Sequence, residues 1–130
     1  MIYTSYFAMQ KKINDMKFIP ISICAKTPQW FNGLVYKKLA PTYDILMEYK
    51  RTGDKERYTE RYNNEVLSKL DPFHVIKDLR ELTYPYHTGK VNIVLMCYEK
   101  SSDFCHRHLV ADWLNKSFGE NKVIELKFDK

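Results

Sequence analysis

Short runs of apolar and β-branched residues alternate along the chain with polar, helix-forming segments. The runs at residues 2–8 and 18–24 predict two strands. Pro20 in the second run indicates an edge position or a short strand, because proline has no backbone N–H to donate. Residues 91–97 form a near-continuous apolar run, which is typical of a strand buried on both faces of a parallel sheet. Residues 123–126 predict a last strand.

Capping residues and four-residue spacing predict two helices in the middle of the chain. The first begins at Pro41, which suits the first helical position, and ends before Gly53. Asp54 is the expected N-cap of the second helix. Its four-residue stripe consists of Tyr58, Tyr62 and Val66.

Two further helices are predicted by the same signals. Asp71 and Pro72 begin one of them, and residues 101–103 cap the other. Their apolar faces consist of Val75, Ile76, Leu79 and Leu82 in the first, and of Leu109, Val110, Trp113 and Leu114 in the second. Residues 11–15 are expected to be a polar break, and residues 25–40 show turn signals without a clear period.

This order of elements predicts an α/β fold. We expect one Rossmann-like domain over residues 1–130, with a mainly parallel sheet flanked by helices and joined by a right-handed crossover. A chain of 130 residues suits one compact domain and is too short for two ordinary ones.

Composition excludes several classes of protein. A hydrophobic fraction of 45% can fill a core, which argues against intrinsic disorder. No apolar run approaches the roughly 20 residues of a membrane helix, and the N-terminus lacks the basic residues and length of a signal peptide. Three cysteines, an odd number, argue against a disulfide scaffold. We therefore expect a cytoplasmic protein with reduced thiols and no membrane partner.

Positive charge is concentrated in the first part of the chain. The net charge is +5, and residues 1–53 contain eight cations and three anions, whereas residues 54–130 contain thirteen of each. Trp30 and Phe31 lie between Lys26 and the Lys37–Lys38 pair, an interleaving that proteins use to stack bases beside phosphates. The same pattern is also explained by a lid over a cleft, by a partly buried loop or by an ordinary solvated surface.

The strongest chemical signal joins the apolar strand to the last helix. Open α/β sheets bind ligands at such junctions, where the helix amides favour an anion. Arg107 can hold a phosphate or carboxylate with its guanidinium fork, and the same positive field would lower the pKa of Cys105. His106 can act as an acid or base near neutral pH.

Each of these residues also has a structural interpretation. Cys105 is spaced to extend the apolar face of the helix, and Cys97 can be a small core residue. Arg107 can pair with a surface carboxylate, and His106 can be solvated. A zinc site of Cys97, Cys105 and His108 lacks a visible fourth ligand and matches no standard spacing, so we predict no metal and no cofactor.

Two short motifs resemble those of a known family. They are Cys97-Tyr98-Glu99-Lys100 at the strand end and Cys105-His106-Arg107 at the helix start. The chain resembles the small bacterial and phage proteins called domain of unknown function 488. The resemblance implies a Rossmann-like α/β fold and makes the core-filler interpretation of Cys105 less favourable. It extends to residues 4–8, 22–23, 28–31, 36–41, 58–62, 70–72 and 108–114.

These observations lead to one functional hypothesis with two alternatives. We expect a pocket at the end of the sheet that binds a phosphate-bearing ligand, either a nucleotide or a nucleic-acid end. Cys105 and His106 are the candidate catalytic residues. The candidate ligand-binding residues are Ser5, Tyr6, Trp30, Cys97, Glu99 and Arg107. The alternatives are a protein that sequesters a nucleotide without turnover and a protein-interaction module; the oligomeric state stays open.

Overall fold

The computed structural model describes residues 1–86, 90–99 and 104–128. Five strands form one sheet, in which every neighbouring pair is parallel. They are β1 (Ile2–Tyr6), β2 (Ile19–Ser22), β3 (Leu34–Val35), β4 (Ile93–Cys97) and β5 (Val123–Glu125). The strand order is β3-β2-β4-β1-β5, so β4 lies in the middle of the sheet.

In the part of the chain that the structure describes, five α-helices connect and cover the strands. They are α1 (Gln10–Asp15), α2 (Tyr43–Thr52), α3 (Lys55–Glu65), α4 (Pro72–Thr83) and α5 (His106–Phe118). The predicted α/β fold with a parallel sheet is therefore confirmed. Within the described residues, no helix is both long enough and apolar enough to span a bilayer.

Local capping chemistry sets the bounds of the central helices. The Asp54 carboxylate accepts from the Arg57 backbone N–H, and Gly53 ends α2 at a φ of +67°, as the sequence predicts for both positions. The predicted start at Pro41 is wrong. Thr42 is the N-cap of α2 and its side chain accepts from the Ile45 N–H, because a hydroxyl can satisfy a free helix amide and proline cannot.

Two short elements were not predicted from the sequence. The expected polar break at residues 11–15 belongs to α1, in which Ile13 is fully buried while its lysines face solvent. Strand β3 has only two residues and lies in the segment without a clear period. Both elements are too short to show periodicity, so tertiary contacts decide them.

Pro20 lies in an interior strand rather than at an edge. Strand β2 pairs with β4 on one side and with β3 on the other, which corrects the edge position but agrees with a short strand. The Ile19 N–H donates toward the β4 side, to Asn92, so the alternation of the backbone places the missing donor of Pro20 on the β3 side. Strand β3 pairs only with Ile21 and Ser22, so it does not reach that position.

The start of α5 differs from its predicted start. Cys105 itself is the N-cap of the helix, and none of its side-chain atoms makes a capping hydrogen bond. The predicted cap, Asp103, lies outside the described residues. All five residues of β4 are buried, and Val110 and Leu114 of α5 are fully buried in the core. The cysteine therefore lies where the carboxyl edge of the sheet meets the first turn of a helix.

Candidate functional site

A pocket of about 400 Å³ lies at the carboxyl edge of the sheet, beside the ends of β2 and β4. From β1 the chain passes to β2, toward one edge of the sheet, whereas from β4 it passes to β5, at the opposite edge. The pocket therefore lies near the point where the strand order reverses. Parallel sheets bind ligands at such points because diverging connections leave a crevice. The pocket is lined by Cys24, Ala25, Lys26, Pro41, Leu46, Tyr49, Lys50, Tyr58, Tyr98, Glu99, Phe104, Cys105 and His106.

Two sulfur atoms and one imidazole meet beneath this pocket. The Sγ atom of Cys97 lies 3.5 Å from His106 Nδ1, and the Sγ atom of Cys105 lies 3.9 Å from the same nitrogen. Both sulfur atoms therefore contact the same imidazole nitrogen. Cys105 lines the pocket and Cys97 does not, so Cys105 is the one of the pair that a ligand can contact.

The orientation of His106 is set by buried contacts. Its Nε2 lies 2.7 Å from the backbone oxygen of Ile23, which can only accept, so Nε2 bears a proton and donates. The ring of Tyr62 packs edge-on against the imidazole at 5.6 Å, and the Tyr62 hydroxyl donates to the Leu39 oxygen. The imidazole is therefore held with Nδ1 toward the two sulfur atoms.

The surroundings of Cys105 favour its thiolate form. The hydrogen bond from Cys97 lowers the pKa of Cys105, and burial opposes this; contact with His106 and the backbone N–H of Arg107 lower it further. The amide belongs to the first turn of α5, where free N–H groups stabilise negative charge. Burial raises the pKa of Cys97 well above its usual range, so Cys97 keeps its proton and remains a donor.

His106 is the expected counterion of this thiolate. Burial by itself would lower the pKa of His106, but the hydrogen bond and negative charge of Cys105 outweigh it, and the pKa is raised. A protonated ring donates to Ile23 from Nε2 and faces the sulfur atoms with Nδ1–H. The geometry thus fits a thiolate–imidazolium pair of the kind that activates nucleophilic cysteines.

Glu99 adds an acid to the same pocket. Partial burial and the charge of Cys105 raise the pKa of the Glu99 carboxyl group. A carboxyl group that retains its proton closer to neutrality can donate it to a bound ligand. Glu99 is thus brought together with Cys105 and His106, as the sequence predicts.

One wall of the pocket is aromatic and its rim is basic. The ring of Phe104 lies 5.5 Å from that of Tyr49 and 5.2 Å from that of Tyr58. Lys26 and Lys50 line the same pocket with exposed side chains. Flat rings offer stacking surfaces, and the two ammonium groups attract an anion.

Arg107 lies apart from this pocket and is fully buried. Its Nε and one terminal nitrogen donate to the two carboxylate oxygens of Glu125 at 3.1 and 3.0 Å, and its other terminal nitrogen donates to the Glu99 backbone oxygen at 2.7 Å. Thr4 donates to the same carboxylate at 2.6 Å. Arg107 therefore joins β1, β5 and the segment after β4. Its predicted role in ligand binding stays a prediction, but the guanidinium is already paired.

Besides Arg107 and Cys97, three other predicted binding residues also lie outside the pocket. Ser5 is fully buried, and its hydroxyl has no hydrogen-bond partner among the described residues. The ring of Tyr6 lies 5.9 Å from the Arg107 guanidinium carbon. Trp30 is 63% exposed and meets the edge of the Phe7 ring. The structure does not bring these residues together with Cys105.

One set of groups has the spacing to hold a metal ion. Donor atoms of Cys24, Cys97 and His106 lie within 4.8 Å of one another, whereas His108 is not part of this set. The Cys97 sulfur is nearly as close to Nε2 (3.8 Å) as to Nδ1 (3.5 Å), although a co-ligand of an ion bound at Nδ1 should lie on the Nδ1 side of the ring. The arrangement therefore suits contact between sulfur and imidazole better than tetrahedral ligation.

Sequence reasoning missed several residues of the pocket. Cys24, Lys26, Tyr49 and Phe104 were not among the candidates, and Tyr58 was predicted only as part of an apolar stripe. One signal pointed to Cys24, because it lies at the end of a predicted strand, as Cys97 does. In a parallel sheet both strand ends lie on the same edge.

Comparison with known proteins identifies the family. A family model described as "DUF488-N3a: Active DUF488-N3 subclade" matches residues 13–118, which is well over half of the chain. The matched range includes all three cysteines and His106. No curated protein and no solved structure matches the chain.

Proposed function

The chain belongs to the DUF488 family, and we propose that its pocket binds a phosphate-bearing ligand, a nucleotide or a nucleic-acid end, with Cys105 as the nucleophile. One observation supports this above all. Cys105 lines the pocket at the N-cap of α5; His106 Nδ1 lies 3.9 Å from its sulfur, and the Cys97 sulfur lies 3.5 Å from the same nitrogen. A structural cysteine would need neither this access nor these partners.

Three side chains divide the chemical work in this proposal. Cys105 attacks the bound ligand, and His106 keeps it in the thiolate form from below. Glu99, on the pocket wall, donates a proton to the departing group. Three free thiols suit a reducing compartment, which is why we place this activity in the cytoplasm.

The remaining pocket residues account for binding. Tyr49, Tyr58 and Phe104 offer ring faces to a flat heterocycle, while Lys26 and Lys50 are positioned to attract the phosphate. A volume of about 400 Å³ is within the range for a small-molecule site. A nucleic acid would enter the pocket by its end, because the pocket is compact and does not reach Trp30.

Binding can be tested with defined phosphate-bearing probes. We expect AMP, ATP or a 5′-phosphorylated trinucleotide to raise the melting temperature and to give a measurable Kd by calorimetry. The double variant Lys26→Ala/Lys50→Ala should weaken binding about tenfold, since each contact to a phosphate adds roughly 1 kcal/mol or less at an exposed position. Lys11→Ala/Lys12→Ala is the control, because both lysines are exposed on α1 and absent from the pocket. If no probe binds, or if the two double variants behave alike, the proposal is wrong.

Turnover can be separated from binding with Cys105→Ser. If the protein is an enzyme, the Cys105→Ser variant should no longer convert the probe that binds best, while the Kd of that probe should stay within about threefold of the wild-type value. If the wild-type protein binds but never converts any probe, the protein sequesters its ligand instead. Glu99→Gln should leave the Kd of the same probe unaffected. If the protein is an enzyme, this variant should also slow conversion, most of all for ligands with poor leaving groups.

A further inference from the structure

The site contains more sulfur than its proposed chemistry requires. All three cysteines are free, and they lie together at one edge of the sheet. The nucleophile needs only Cys105, yet Cys97 is fully buried behind it and does not line the pocket. A buried thiol close to a reactive thiol can form a disulfide bond with it, which serine or alanine could not do.

The contacts place Cys97 and Cys105 in position to react with each other. The two sulfur atoms lie 3.5 and 3.9 Å from the same nitrogen of His106, so one ring atom brings them together. Cys105 and Cys24 line the pocket, whereas Cys97 is fully buried and does not line it. Of the two pocket cysteines, Cys105 has both the imidazole of His106 and the free amides of the first turn of α5 beside it, so we expect Cys105 to react with the oxidant.

We propose that Cys105 and Cys97 form a redox-active pair that a hydroperoxide entering the pocket converts into a Cys97–Cys105 disulfide. The proposal goes beyond the function above, since it needs a reactive Cys105 but no phosphate-bearing ligand. Its consequence is control: the disulfide occupies the nucleophile until a thiol reductant restores both cysteines.

The reaction proceeds in two balanced steps. The Cys105 thiolate attacks one peroxide oxygen; an S–O bond forms, the O–O bond breaks, and the leaving hydroxide or alkoxide takes a proton from solvent. Cys105 is then a sulfenic acid and the peroxide is reduced. The Cys97 sulfur next attacks the Cys105 sulfur; an S–S bond forms, the S–O bond breaks, and the Cys97 proton leaves with hydroxide as water.

Cys97 is a better partner for Cys105 than Cys24 is. The sulfur atoms of Cys97 and Cys105 lie 3.5 and 3.9 Å from His106 Nδ1, whereas the Cys24 thiol donates to the backbone oxygen of Met96. The burial of Cys97 also protects its thiol from direct oxidation, so the order of events is fixed by access. Cys24 is expected to remain a free thiol.

Tryptic mapping can identify the bond directly, because each cysteine falls in its own peptide. Cys24 lies in residues 18–26, Cys97 in 91–100 and Cys105 in 101–107. Reduced, ligand-free protein is treated with a few equivalents of hydrogen peroxide, alkylated while denatured and digested without reductant. We expect a cross-linked pair of peptides 91–100 and 101–107, a fall from three free thiols to one, and full reversal by dithiothreitol.

Variants separate the two steps. Cys97→Ser should stop at the Cys105 sulfenic acid, which dimedone traps on peptide 101–107. Cys105→Ser should keep both remaining thiols free, and Cys24→Ser, the control, should still form the cross-link. Circular dichroism establishes that each variant is folded, and the wild-type map does not depend on any of them.

Three results would overturn the proposal. They are a cross-link between peptides 18–26 and 91–100, three thiols that survive peroxide, and protein that retains about one equivalent of zinc and whose thiols react only after chelation. The last would assign Cys24, Cys97 and His106 to a metal instead. None of these outcomes depends on whether a nucleotide binds, so this inference and the proposed function can fail separately.

Discussion

At the scale of single residues, neighbouring sequence positions have different roles. Cys105 lines the pocket, His106 supports it from below, and Arg107 points into a buried network with Glu125. Successive residues in the first turn of a helix project about 100° apart, so one tripeptide can serve three environments. The motif is therefore part reactive site and part structural connection.

The first prediction concerns the thiolate of Cys105. Its pKa is lowered by the Cys97 hydrogen bond, so the thiolate persists as pH falls through the range in which ordinary thiols become protonated. Between pH 8 and 6, iodoacetamide labelling of a free thiol slows about a hundredfold, because its pKa is about 8.5. We expect labelling of peptide 101–107 to slow less than about threefold. A pH dependence that parallels that of glutathione would contradict the assignment.

The second prediction concerns Arg107. Arg107→Ala leaves the Glu125 carboxylate, which is only 17% exposed, without its bidentate partner. Removing one member of a buried ion pair costs about 3–5 kcal/mol, so the variant should unfold at markedly lower urea concentration. Arg107→Lys keeps the charge but loses the fork, and we expect a smaller loss. A stable Arg107→Ala protein with weakened AMP or ATP binding would instead assign Arg107 to the ligand.

At the scale of elements, α3 connects the site to the rest of the fold. Tyr58 and Tyr62 lie one turn apart on this helix with their rings stacked at 6.1 Å. Tyr58 faces the pocket, and Tyr62 packs on His106 and donates to the Leu39 oxygen. One stripe of a helix thus forms both a pocket wall and a support for the imidazole.

The third prediction compares these two tyrosines. Tyr62→Phe leaves the buried Leu39 carbonyl without its donor, which should cost about 1–3 kcal/mol in urea unfolding. Tyr58→Phe is the matched control, because its hydroxyl makes no hydrogen bond within the described part of the chain, and a change below about 0.5 kcal/mol is expected. Equal losses in both variants would argue against the role given to the Tyr62 hydroxyl.

At the scale of the whole molecule, the order of strands determines which parts are most protected. Strand β4 is paired on both sides, with β1 and β2, and every one of its residues is buried. Strands β3 and β5 each have one neighbour and two or three residues. Cys97, at the end of this central strand, therefore anchors one side of the reactive cluster to the sheet.

The fourth prediction follows from this order. In hydrogen exchange measured by mass spectrometry, peptides that cover residues 93–97 should exchange slowest, close to the rate set by global unfolding. Peptides that cover Leu34–Val35 should exchange many times faster, because β3 is a short edge strand. Exchange of β4 as fast as that of β3 would contradict the central position of β4.

Local signals were sufficient for much of the fold. The buried strand at residues 93–97, the caps Asp54 and Asp71, and the end of α2 at Gly53 follow from patterns within a few residues. The motif around Cys97 and Cys105 also predicted where one end of the pocket lies, and it indicated the family. These features depend on contacts between near neighbours in sequence, which periodicity and capping chemistry describe.

Contacts across the fold decided the rest. Cys24 joins Cys97 and His106 only because β2 and β4 are adjacent, although more than seventy residues separate them. Arg107 faces Glu125 because β5 lies beside β1, and Pro20 is tolerated inside the sheet because β3 is short. The sequence by itself determined the longer helices, the buried strand β4 and the reactive segment, but not the short elements α1 and β3. Strand order, which depends on the summed burial of all the elements at once, determined which side chains meet there.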